Sequence, residues 1–155
     1  IITMMPFHQT GYDFLSRNYT TQAFATKKPA YAEKALAVYQ LAEENFRKIP
    51  SKYLGMILEI DILTNSPVLN IQMGAAHYLL GNYEEGLKHF SVAQRLVHDE
   101  NVLKEINAWI ALGNQRLGIN EALDDTVIDP AIFQEVEKLL DDFQQKQADS
   151  GQQES

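Results

Sequence analysis

The sequence contains no cysteine. That excludes disulfides, thiolate zinc sites and cysteine nucleophiles, and leaves the compartment undecided. No apolar run reaches the ~18 uncharged residues that a membrane-spanning helix needs, so no membrane span is expected. No secretion signal is visible and the cytoplasm is the expected location, although the chain opens Ile1-Ile2 rather than on Met, as a fragment or processed form would. Catalytic signatures are missing too. There is no G-x-S-x-G, no phosphate-cradling G-x-x-x-x-G-K and no dinucleotide fingerprint, and His8, His77, His89 and His98 do not form H-E-x-x-H. The carboxylate pairs Glu43-Glu44, Glu84-Glu85 and Asp141-Asp142 are adjacent, so on a helix they diverge, whereas general acid–base work needs convergence. Glu85 and His89, four residues apart, read as a surface pair. The expectation is no enzyme, no cofactor and no metal; the alternative is a catalytic domain whose polar residues meet only in the fold.

Basic residues are also scarce towards one end. Residues 1–120 balance eleven Lys and Arg against eleven Asp and Glu, while residues 121–155 hold two basic and ten acidic side chains. The whole net charge of −8 is therefore C-terminal. No basic patch supports nucleic-acid binding, so none is expected. The acidic end reads as a solvated face or as an arm that steers basic partners.

The 155 residues suffice for one domain with a core, and 45% hydrophobic content is ordinary for a globular chain. Punctuation then divides the chain into helices. A short helix is expected around 13–25, with Tyr12, Phe14, Tyr19 and Phe24 packed on the next helix; a homodimer contact through this N-terminal segment is the alternative. Pro29 suits the first position of a helix, along which Tyr31, Ala35, Val38, Ala42 and Phe46 recur at helical spacing, and Pro50 stops it. In residues 52–64, Leu58, Ile60 and Ile62 alternate with Glu59 and Asp61 like a strand. A lone strand would leave its backbone unpaired, so a buried helix capped by Ser51 is expected. Ser66-Pro67 starts the next helix and Gly81 ends it. Asn82 and Glu85 have the spacing of a capping box, and that helix runs to about His98. Asp99 or Asn101 opens another, which ends before Gly118. A turn of helix is expected over 120–125. Asp129-Pro130 begins the last helix, with the apolar stripe Ile132, Phe133, Val136, Leu139, Leu140 and Phe143. Residues 146–155 have nothing apolar to bury and are expected to be disordered. This is an all-α chain of about seven helices.

Residues 70–93, NIQMGAAHYLLGNYEEGLKHFSVA, carry the most specific pattern. Gly74 and Gly86 let two antiparallel helices approach closely, with Tyr83 and Phe90 filling the space around the contact. Asn70-x2-Met73-Gly74-x2-His77 followed by Gly86-x3-Phe90 resembles the tetratricopeptide repeat, W-x2-L-G-x2-Y then A-x3-F, over about 34 residues. Trp109-x2-Leu112-Gly113-x2-Arg116 is a second match with Trp, Leu and Gly intact, 39 residues further on. The matches span 67–98 and 101–125.

The resemblance implies antiparallel helical hairpins stacked as a short superhelix, residues 1–145, with the last helix as a cap or as an occupant of the groove. It implies a non-catalytic scaffold whose partner is another protein or peptide, held as a helix or extended segment in an apolar concave groove. Family ligand-lining positions fall on Ile71, Ala75, Tyr78, Asn107, Ile110 and Asn114. A carboxylate clamp does not fit, because Ile71 and Ile110 stand where the family uses Lys. Trp109 through Leu123 is also similar to the C-terminal hairpin of small acidic tetratricopeptide chaperones of bacterial type III secretion, and a secretion chaperone is the alternative within the binding class.

Overall fold

The computed structural model describes residues 9–47, 66–119 and 128–153. They form six α-helices, with no strand among the described residues: α1 Gln9–Thr26, α2 Pro29–Arg47, α3 Pro67–Leu79, α4 Tyr83–Leu96, α5 Glu100–Leu117 and α6 Pro130–Gln153. The all-α expectation holds for these residues. The helix expected over 52–64 and the turn over 120–125 lie outside them. Among the described residues no helix is long and apolar enough to cross a membrane.

Local chemistry sets most helix ends. Ser66 accepts from Leu69 N–H at 3.1 Å and donates to Asp13 Oδ1 at 2.9 Å, which ties the start of α3 to the start of α1. Asp99 caps α5 by accepting from the N–H groups of Asn101 and Val102, and Asp129 caps α6 through Ala131 and Ile132. Gly81 and Gly118 take left-handed φ of 79° and 69° behind α3 and α5. One cap differs from expectation. Asn82 makes no side-chain cap bond, because its φ and ψ of −90° and 66° are not extended. Its N–H is spent on the His77 carbonyl at 2.8 Å, which leaves Glu85 nothing to reach back to.

α1 is longer than the sequence suggests, because its buried face is small and polar. Tyr12, Ser16, Thr20 and Ala23 face inward. The Ser16 and Thr20 hydroxyls donate to carbonyls of their own helix at 3.0 and 2.9 Å, so neither is buried unsatisfied. Tyr19 and Phe24 are half-buried as expected, but Phe14 is 67% exposed.

Contacts fix the directions. Asn45 donates to Tyr12 Oη at 2.8 Å, so α1 and α2 run antiparallel. Asn70 meets His89 while Gly74 meets Gly86, so α3 and α4 do the same. Gln94 donates to Asn107 Oδ1 at 2.7 Å and Phe90 stacks on Trp109, which makes α4 and α5 antiparallel. α1 also packs on α3, and α6 on α5 and α3. One apolar cluster draws on all six helices.

The end of the chain departs from the expected disorder. α6 continues through 146 to Gln153. Lys146, Gln147, Ala148, Gln152 and Gln153 favour helix, against Asp149, Ser150 and Gly151, and Gln147 Nε2 donates to the Lys27 carbonyl at 2.5 Å, satisfying a group left unpaired behind α1.

Candidate functional site

The helices α3 and α5 hold the ligand-lining positions that the repeat pattern implies, so the site is built from them. Its centre is Tyr78 on α3, fully buried. Two glycines make its space. A Cβ on Gly86 would lie 2.3 Å from the Tyr78 ring, and one on Gly113 would lie 1.8 Å from its hydroxyl. The hydroxyl donates to the Trp109 carbonyl at 2.9 Å, joining α3 to α5. Burial pushes this phenol well above its ordinary pKa, so it stays a donor. Tyr83, Phe90 and Trp109 pack around the ring at centroid distances of 5.3, 5.1 and 5.8 Å. Gly74 makes the matching space for Phe90, whose ring lies 2.7 Å from where a Cβ would be.

The close approach of Gly74 and Gly86 is present, since a Gly86 Cβ would sit 3.0 Å from the Gly74 carbonyl. The side chain filling the Gly86 side is Tyr78, not Tyr83. Trp109 belongs to this core, stacked on Phe90 at 5.5 Å and near Phe24 at 6.1 Å.

The six implied lining residues therefore do not share an open groove. Ala75, Tyr78, Asn107, Ile110 and Asn114 are buried, and Ile71 is half-buried. Asn107 accepts from Gln94 of α4 instead of facing a ligand. Gly86 and Gly113 leave the space that the Tyr78 ring occupies between α4 and α5.

α6 lies against this same set of helices. Val136, Leu140 and Phe143 are buried. Along its polar edge, Asp141 pairs with Arg116 at the end of α5. Gln144 Nε2 donates at 2.5 Å to Oη of Tyr83, the first residue of α4, and Gln147 reaches the turn after α1. Successive turns of α6 thus meet the end of α5, the start of α4 and the turn after α1 in order. Beside that contact a cleft of about 500 Å³ lies along α6, lined by Lys27, Asp142, Lys146 and Asp149. Sequence reasoning missed Gln144 and Gln147, whose role depends on carbonyl and phenol groups far away in the chain.

A second cluster joins α2, α3 and α4. His77 and His89 stack at 5.4 Å, with the Tyr39 ring edge-on to His89 at 5.6 Å. Asn70 Nδ2 donates to the Ser66 carbonyl, which orients the amide so that its oxygen faces His89 Nδ1 at 3.0 Å; the ring proton is then on Nδ1. Burial, then the neighbouring His77, push His89 down to about 4, and burial also lowers His77. His77 Nδ1 is buried with no hydrogen-bond partner among the described residues. The expected Glu85–His89 surface pair does not form, since Glu85 bonds Lys88 at 2.5 Å. Among the described residues no group of three His, Asp or Glu could hold a metal.

No protein-family model, curated protein or solved structure matches this chain.

Proposed function

We propose that this chain is a non-catalytic, tetratricopeptide-like module that binds a helix of another protein on the face made by α1, α3 and α5. The observation that carries the reading is α6. A helix with three buried apolar side chains packs on α5 and α3 and makes three polar contacts, to the end of α5, the start of α4 and the turn after α1. Such a face selects a helix by its apolar stripe and its flanking polar positions.

The proposed site differs from the lining positions that the repeat pattern implies. Tyr78 and Asn107 hold the fold, and Ile71 and the α6 seat are what remains for a ligand. The test is photo-crosslinking of the full chain from a photoreactive residue at Ile71, in cells that express it, followed by mass spectrometry of the adducts. The reading predicts an adduct with a helical segment of a second protein. Adducts confined to the chain itself would contradict it.

A further inference from the structure

We infer that α6 is an exchangeable stand-in for the partner, so that the seat takes in trans an acidic amphipathic helix with α6's own pattern. This rests on the protein-binding reading above. The pattern is specific: apolar residues at i, i+4 and i+7 (Val136, Leu140, Phe143), a carboxylate at i+5 (Asp141) and side-chain amides at i+8 and i+11 (Gln144, Gln147).

Each position has its counterpart in the seat. The apolar residues are buried against α5 and α3. Arg116 supplies the cation for the carboxylate, and a phenol oxygen and a helix-end carbonyl accept from the two amides. The helix-end carbonyl selects a side-chain N–H donor, which a carboxylate cannot replace, whereas the phenol can donate as well as accept.

Three observations make α6 separable from the rest. It carries its own N-cap in Asp129 and so can persist as a helix when released. At 24 residues it exceeds the ~12–15 at which isolated helices become viable. Its one charged anchor lies at the rim, where the Arg116 and Asp141 side chains are 31% and 53% exposed.

While α6 is seated, a partner sees only the released fraction of the chain, and its apparent affinity falls by that fraction. Loosening α6 must therefore tighten binding in trans. The probe is a fluorescein-labelled peptide of residues 128–153, titrated into the full chain and read by anisotropy. In the chain, Asp141→Lys with Gln147→Ala removes two polar anchors, and Leu140→Ala in a separate chain removes an apolar one. Trp109 fluorescence checks that the core is intact. The expected result is saturable binding, at least about fivefold tighter to either loosened chain than to the natural one. A peptide with Leu140→Asp and Phe143→Asp should not bind.

No binding to loosened chains whose Trp109 signal is unchanged would overturn the inference, as would equal affinity for all three. Concentration-dependent dimerisation of the loosened chain, without peptide binding, would assign the seat to a second copy and overturn it as well. A trans adduct from Ile71 together with peptide failure would keep the protein-binding reading and reject exchangeable α6. Peptide binding with no adduct on a second protein would keep the exchange and count against that reading.

Discussion

Tyr78 and Phe143 are both fully buried aromatics, but their surroundings differ in kind. Tyr78 is enclosed by α3, α4 and α5, among three other rings, and its one polar atom is satisfied in the interior. Phe143 belongs to a helix whose polar anchors are an exposed ion pair and two part-buried amide bonds. Depth of burial alone does not separate a contact that defines the fold from one that can be exchanged. What separates them is how many elements enclose the side chain and where the accompanying polar groups are satisfied. On this view the α3–α5 junction is the fixed body and α6 its occupant.

The largest effect should come from Phe90→Ala, which empties the centre of the junction. Large aromatic truncations in cores cost about 3–5 kcal/mol, so urea denaturation should show the whole chain destabilised in one transition. Leu140→Ala should instead speed the exchange of α6 amides first. Gly86→Ala and Gly113→Ala come next. Overpacking costs about 1–3 kcal/mol, and both new methyl groups would meet Tyr78. Alanine is the repeat family's residue at Gly86, and the family pattern alone would make that change mild. Here the Tyr78 ring occupies the space. Gly151, with nothing within 4 Å, is the control and should tolerate alanine. A Gly86→Ala protein with unchanged stability would mean that the junction is looser than described.

The histidine pair gives a pH-dependent effect on the same body. His89 is held well below its ordinary pKa in the fold, so the unfolded chain binds more protons between about pH 6.5 and 4. Stability should be full above about pH 6.5 and should fall as pH drops towards about 4. Tyr39 and Glu43 of α2, His77 of α3, and Glu85 and Lys88 of α4 surround the ring or act on its neighbours. His89→Gln should flatten this slope in urea midpoints measured at pH 7 and pH 5; an unaltered slope would assign it to other groups. The smallest effect should be Arg116→Ala. Exposed ion pairs are worth about 0–1 kcal/mol, so the global midpoint should hardly move while α6 loosens.

Helix positions were readable wherever the signal is local. Pro29, Ser66-Pro67, Gly81, Asp99, Gly118 and Asp129-Pro130 act on backbone groups within a turn of themselves, and the described helices begin or end beside each of them. α1 was harder because a buried face of Tyr12, Ser16, Thr20 and Ala23 lacks an apolar period. The reach of α6 past 146 was hidden because its anchor is the Lys27 carbonyl, 120 residues away. The site was the least readable part. Repeat spacing places Tyr78 on the ligand side, but the space its ring takes depends on Gly86 and Gly113 in two other helices. Likewise Glu85 and His89 share a helix face, yet Lys88 and Asn70 are the better partners.

The division into body and occupant is tested most directly by native-state hydrogen exchange on the full chain, followed amide by amide. Buried amides of α3, α4 and α5 should exchange only through global unfolding, with protection that falls as denaturant is added. Buried amides of α6 around Leu140 and Phe143 should exchange faster, through a local opening insensitive to low denaturant. Equal protection in α6 and α3–α5, with the same denaturant dependence, would contradict the account and make α6 an integral part of the fold.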